Sequence, residues 1–436
     1  MKAENKLGLV FFPAFDWAIS PTHPEREERL LYTQDQIFEE GIEDIEGIEM
    51  FNPILAEKQD IQRVHFCVPD VASRLTESHY ISAGGAIRCA QAVMNKEVDK
   101  AFALVRPPGH HAHRFVYGDR GFCVINIEAV MVEKMRQEFG PLRIAIVDTD
   151  CHHGDGTEDI FWNDKETLVI SFHQDGRTLY PGTGAIEDFG GPSAYGYNVN
   201  IPLPPLTGEE GFLHVLNHVV MPILDDYKPD IIINSAGQDN HYTDPITNMN
   251  FTAQGYAKLN HILNPDIAVL EGGYSIEGAL PYTNLGIILA MAGLDYSHVR
   301  EPDYVEGKLR QSHEITEYIK QISEIVLNKW NHKEDAWMNK SKGREIFERS
   351  KQIYYDTDGI LDEQVQYFKS CTSCSGNNWI HSQADGGARV LAITLPRDAC
   401  PKCIDEAHKM YRKPSLTFNR IYLQDRVEDQ YYSRRA

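Results

Sequence analysis

The chain has 436 residues, 42% of them hydrophobic and 24% charged, with a formal net charge of -22. One core rarely grows past about 250–300 residues, so one large α/β unit plus a smaller one is predicted. The composition excludes a disordered or membrane-embedded chain, and the acidity excludes a protein that works by neutralising nucleic-acid phosphates.

At the N-terminus, LGLVFF (7–12) suits a first buried strand better than a signal-peptide core. No run approaches the ~18 apolar residues needed to span a bilayer, so a cytoplasmic protein with no membrane or nucleic-acid partner is expected. The acidic run EEGIEDIEGIE (39–49) reads as solvated surface. Apolar strand candidates follow at 101–105, 143–148, 167–172, 230–236 and 266–273, with helical candidates at 82–96, 125–139 and 209–227. Continuous apolar strands alternating with helices predict an α/β fold with one open, parallel sheet buried on both faces. There is no internal repeat and no low-complexity segment. Past residue 330 the chain turns polar and helix-prone, which divides it into a catalytic unit at 1–330, a helical connector at 331–364 and a cysteine-containing module at 365–436.

Ligands of open α/β sheets collect outside the carboxyl ends of the strands, and polar clusters follow five of the candidates here. They are RPPGHHAHR (106–114), DTDCHHGDGT (148–157), FHQDGRTLYPGTG (172–184), GQDNHYTDPITNMNFT (237–252) and EGGY (271–274). Catalytic zinc takes three N or O ligands and one open position. Asp150 and His152, two residues apart, face the same way on an extended chain, and Asp244 is the candidate third ligand from another loop. Alternatively, Asp150 and His152 cap the helix that begins near GDGTEDIF. Five clusters at five strand ends favour a site. Cys151, between the two supposed ligands, faces away and is not read as a nucleophile.

In this order RPPGHHA, DTDCHHGDGTEDIF, SFHQ with YPGTG, SAGQDNHYTDP and EGGY resemble the zinc-dependent histone deacetylase and acetylpolyamine amidohydrolase superfamily, nearer its class II branch. HPEREERL (23–30) is similar to the family's N-terminal motif, and the resemblance covers about residues 8–295. It implies an arginase-like fold and zinc held by Asp150, His152 and Asp244. It also implies that His111 is the general base and later acid, with His110 giving electrostatic help. Asp148 and Asp155 would be the carboxylate partners of His110 and His111, and Tyr274 would polarise the scissile carbonyl. A carboxylate on one ring nitrogen fixes the tautomer and raises the basicity of the other. Phe122 and Tyr180 match the channel aromatics, and Gly121 would offer a carbonyl to the substrate amide. Asp148, Ser171 and Phe172, with main-chain oxygens of Asp150 and His152, match a monovalent-cation site, usually potassium. Two departures stand out. Phe251 occupies the position where polyamine-selective members carry a glutamate, which disfavours polyamines. No aspartate in DVASRLTESHYISAGG (70–85) matches the family's rim aspartate.

CTSC and CPKC place Cys371, Cys374, Cys400 and Cys403 as two C-x-x-C knuckles, resembling a structural zinc ribbon. A disulfide pair or four free thiols are the alternatives. Cys67, Cys89, Cys123 and Cys151 are isolated and read as buried small hydrophobes. The function expected is zinc-dependent hydrolysis of acyl-lysine amides in a protein or peptide. The alternatives are an acetylpolyamine or other small-molecule amidohydrolase and a non-catalytic binder of acylated ligands. The arginase-type Asp-x-His-x-Asp motif is missing from 150–155. Acyl-chain length, oligomeric state and the role of the C-terminal module stay open.

Overall fold

A computed structural model describes residues 1–305 and 307–436. The main sheet has eight strands: β1 (Lys2–Phe12), β2 (Glu46–Phe51), β3 (Lys100–Val105), β4 (Ile144–Asp148), β5 (Thr167–Gln174), β6 (Asn198–Leu203), β7 (Ile231–Ala236) and β8 (Ile267–Leu270). Their order is β2-β1-β3-β8-β7-β4-β5-β6, and every neighbouring pair is parallel. Alternate residues of each strand serve opposite helix layers, as the pleat requires. Phe102, Leu104, Val147 and Ile170 belong to one core; Ala103, Val105, Ile146 and Val169 belong to the other.

Helices α1 (Glu77–Met94) and α2 (Ile127–Phe139) cover the second face. The first is covered by α4 (209–227, with a π turn at Leu216–Val220), α5 (Ala253–Leu263), α6 (Leu280–Met291) and α7 (His313–Asn331). The short α3 (Asp155–Phe161) follows the loop after β4. Asn126 and Thr252 cap α2 and α5 by accepting the N–H of Ala129 and Gly255. Among the described residues no helix is long and apolar enough to cross a membrane.

The C-terminal part departs from the expected connector and module. After α7 and α8 (Lys333–Ser341) comes a six-stranded sheet, β9 (Ile346–Tyr355), β10 (Ile360–Lys369), β11 (Asn378–Ala384), β12 (Ala388–Leu395), β13 (Arg420–Asp425) and β14 (Gln430–Arg435), in sequential order. Only β12 and β13 pair in parallel, across α9 (Pro401–Arg412). The predicted helical segment 331–364 is therefore wrong from residue 346 onward, and the cysteine module at 365–436 forms part of a mixed sheet with a helix. Its polar sequence hides a period of two: Arg349, Lys351, Ile353 and Tyr355 are the less exposed set on β9, and Glu348, Ser350, Gln352 and Tyr354 the exposed one.

One face of this sheet packs Ile353, Tyr355, Ile380 and Tyr422 on Phe66, Phe115 and Tyr117 of the first unit. The other packs Leu391, Ile393 and Leu423 under α9 through Ala407.

Candidate active site

The loops after β3, β4, β7 and β8 converge at the carboxyl edge of the main sheet. Asp148, the last residue of β4, turns one oxygen to the Nδ1 of His110 at 3.1 Å and accepts the N–H of Asp150 with the other. Asp150 accepts the N–H of His152 and of Gly272, at 2.8 and 2.7 Å. Glycine at 237 and 272 is required by this approach, since a Cβ there would stand 2.1 and 2.6 Å from the Asp150 carboxylate. His152 places Nδ1 at 3.2 Å from Asp150 and 2.8 Å from Asp239.

Asp150, His152 and Asp239 each offer a ligand atom within 4.8 Å of the others. Asp244, expected as third ligand, stands outside that triple. Its two oxygens accept the N–H of Ile246 and Tyr274, and burial followed by the charge of Asp239 pushes its carboxyl up to about 7. Two carboxylates against one imidazole, with Asp244 nearby in the same loops, form a donor set suited to a divalent cation.

The tandem histidines differ in charge state. Burial lowers both, but Asp150 and Asp148 outweigh it at His110 and hold that imidazole well above its ordinary value. At His111 burial and the neighbouring His110 win over Asp155, lowering it to about 3. His111 is thus the neutral one, with Nδ1 at 2.8 Å from Asp155. Asp155 also meets His113 Nε2 at 3.1 Å and Arg120; despite burial, Arg120 and His113 keep it well below the ordinary carboxylate range. His153 bonds Thr183 at 2.8 Å and faces Glu158 at 3.4 Å, so it supports the loop.

A cavity of about 250 Å³ opens onto His110, His111 and His152, with Gly121, Phe122, Tyr180 and Tyr274 in its walls. Phe122 has φ 73°, the left-handed region that bulky residues avoid, a strain found at functional loops. Its ring meets Tyr274 edge-on at 5.3 Å, and Tyr180 meets His111 at 5.2 Å. Burial, opposed by Arg29, pushes the Tyr274 phenol well above its usual value, so it remains a donor. Phe251 does not reach this cavity: it is fully buried against Phe212 and Tyr256, with ring centroids at 4.5 and 4.7 Å. Its expected substrate role is corrected accordingly. An apolar ring in a chain segment leading into α5 gains more from the core than from the channel wall. Asp148 and Ser171 are partners in the β4–β5 register, while the Phe172 side chain lies in the core.

Several residues that hold the site in place carried no role in the sequence reading. Glu271 accepts the N–H of Gly109 and His110, at 2.7 and 3.0 Å, fixing the backbone of the histidine pair. Arg29 donates to the carbonyls of Gly273 and Glu271 and lies 4.9 Å over the Tyr274 ring. Glu25 binds Arg29 and Arg106, each at 2.7 Å. The signal for Arg29 was present, since Glu25 and Arg29 are spaced i and i+4 in HPEREERL; Asp239 and Glu271 lay inside recognised motifs.

In the C-terminal unit the four knuckle sulfurs also lie within 4.8 Å of one another, and the Cys371 and Cys400 sulfurs are 3.8 Å apart. Zinc bonds of about 2.3 Å in a tetrahedron put sulfurs about 3.8 Å apart, so the group fits zinc, whereas a disulfide needs about 2.05 Å. The cluster joins the loop after β10 to the head of α9.

The histone deacetylase domain model matches residues 68–285. A probable deacetylase of Archaeoglobus fulgidus is 48% identical over 324 residues, covering 68% of this chain and 89% of that one. A histone deacetylase-like amidohydrolase of Pseudomonas aeruginosa is 34% identical over 52% of this chain and 61% of its own. The acetoin utilization protein AcuC of Bacillus subtilis is 27% identical over 79% and 94%. Among solved structures, the HDA15 HD domain superposes with a TM-score of 0.65 at 26% identity, covering 78% of this chain and 99% of that domain. With its parallel sheet, its strand-end loops and these relatives, the chain belongs to the histone deacetylase family of amidohydrolases.

Proposed function

We propose that the protein is a zinc-dependent hydrolase of acyl-lysine amides. The observation that carries this reading is one cavity lined by a neutral His111, a protonated Tyr274 and His152, whose Nδ1 meets Asp150 and Asp239. Asp150, His152 and Asp244 would hold the zinc. Asp244 keeps 8% exposure where Asp239 has none, and a catalytic ion needs a side that water can reach. Asp239 is fully buried and commits one oxygen to the Cys151 N–H, so its other oxygen orients His152. When bound, zinc supplies a Lewis acid for the acyl carbonyl and makes a water acidic near neutral pH.

With Nδ1 donating to Asp155, His111 presents Nε2 as the base that takes a proton from the attacking water and returns it to the leaving amine. His110, kept charged by Asp148, favours the negative charge that develops. Tyr274 donates its hydroxyl to the developing oxyanion. Phe122, with Tyr180, would flank the alkyl chain, and the Gly121 carbonyl would accept the amide N–H. A monovalent cation at Asp148, Ser171 and Phe172, and a structural zinc at the four cysteines, belong to the same proposal. The decisive experiment gives zinc-loaded protein a panel of lysine peptides differing in acyl length. Turnover that falls about 10²- to 10³-fold in Tyr274→Phe is expected; no turnover on any peptide, with Tyr274→Phe indistinguishable from the parent, would sink the reading.

A further inference from the structure

The turn between β9 and β10, DTDG (356–359), brings the second unit to the mouth of the active-site cavity. Asp356 is the one carboxylate among the described residues that line this cavity. Its oxygens stand 3.1 and 3.3 Å from the N–H of Gly121, beside the channel residue Phe122. The turn is seated firmly. Asp358 accepts the Asp119 N–H at 2.7 Å, and a Cβ on Gly118 would come within 2.0 Å of that carboxylate.

Asp356 is exposed, and among the described residues no Lys, Arg or His nitrogen pairs with it. Arg120, the nearest guanidinium on the loop, is taken by Asp155 and by the Tyr354 carbonyl. His23, edge-on to Phe122 at 4.2 Å, is lowered by burial and so adds no positive charge at neutral pH. Asp119 and Asp358 bring only further acidity. The mouth of the channel therefore carries an exposed carboxylate that the Tyr180 hydroxyl and the field of Arg120 reach but that no cation among the described residues pairs directly, while Phe251 sits in the core.

We propose that Asp356, delivered by the C-terminal unit, is a specificity-determining residue that favours acylated amines bearing an ammonium group where the alkyl chain emerges from the channel. This deepens the hydrolytic reading above and rests on it. An exposed carboxylate attracts a cation modestly, and a charge-assisted hydrogen bond adds to that.

The test compares N-acetyl-1,5-diaminopentane with N-hexylacetamide, which replaces its ammonium by a methyl group, on the zinc-loaded full chain. The parent is expected to prefer the ammonium compound about three- to tenfold in kcat/KM, chiefly through KM. Asp356→Asn keeps an acceptor for Gly121 but removes the charge, so the preference should collapse; Asp356→Lys should reverse it. A parent without the preference, or an Asp356→Asn enzyme that keeps it, overturns the proposal. Failure of the parent on these compounds and on every acyl-lysine peptide overturns the hydrolytic reading instead.

Discussion

The two sheets bury themselves in different ways. The eight-stranded sheet is covered on both faces by helices and keeps its polar side chains for the loops at its carboxyl edge. The six-stranded sheet turns one face to the first unit and the other to a single helix. Its attachment is partly ionic: on β9, Arg349 reaches Glu158 and Lys351 reaches Asp159 at 3.0 Å, both on α3. That helix begins with Asp155, the carboxylate under His111. The second unit thus grips the helix that supports the proposed base and walls the channel with its first turn. A charged strand with neutralised inward cations is part of an interface, not a solvated surface.

The strongest contrast lies between the two candidate metal sites. Asp244→Asn should lose the catalytic zinc and at least about 10²-fold in activity while leaving the melting temperature near that of the parent, because the amide keeps the shape of a side chain whose proposed task is to hold the ion. Asp239→Asn should lose less zinc, its role being to orient His152. Cys371→Ser should do the reverse of Asp244→Asn, lowering the melting temperature with a smaller loss of activity. Zinc per chain by elemental analysis, with calorimetry, separates these outcomes: two ions in the parent, one in each of the two ligand variants. Equal loss of activity and stability in both would erase the distinction drawn between the units.

Next in size is the boundary. Glu133, buried on α2, takes Arg397 at 2.6 Å and Arg426 at 3.6 Å from the second unit and Arg136 at 3.4 Å from its own helix. Removing one partner of a buried ion cluster costs about 3–5 kcal/mol. Glu133→Ala should therefore lower the unfolding free energy by that much, with the β9–β14 sheet released first in hydrogen exchange. Uniform exchange across both sheets would show that they unfold as one body regardless of this contact.

Sequence patterns exposed the first unit well because its signals are local. Apolar runs at 101–105 and 167–172 became β3 and β5, and the polar clusters after the strands converged as the strand-end rule requires. The His111–Asp155 and His110–Asp148 pairs were legible through motif resemblance and are present in the fold. The second unit was opaque because its inward positions are Arg349 and Lys351, whose partners lie about 190 residues away in Glu158 and Asp159. No window along the chain distinguishes such cations from solvated ones. Asp356 was hidden for the same reason, since a DTDG turn announces a hairpin but not what the hairpin touches. Phe251 failed in the opposite direction: its position beside a recognised motif suggests a substrate role, and only packing decides which way a ring points.

Acid titration sharpens the comparison further. His65 is completely buried in the first unit, with Nδ1 at 2.8 Å from the His113 carbonyl and Nε2 accepting the Asn126 N–H at 2.9 Å. Protonation would set two N–H groups against each other, and burial already lowers this imidazole to about 4 from 6.5. The unfolded chain therefore binds this proton first. Stability from neutral His65 is fully present above about pH 6.5 and drains away as the pH falls toward 4, by roughly 1–3 kcal/mol. Glu133 acts lower: its arginines hold it well below 4.5 against the effect of burial, so its contribution is lost only as pH falls beneath the unfolded carboxyl value. Acid should thus weaken the first unit before it weakens the boundary. His65→Gln, which can donate to one partner and accept from the other, should make the fall of the urea midpoint between pH 7 and 4 shallower, the remainder belonging to His79 and His173, which burial also lowers, while leaving the steeper fall below pH 4 untouched. A parent whose midpoint stays level down to pH 4, or a variant that falls in parallel with it, would place the first acid-sensitive contact away from His65.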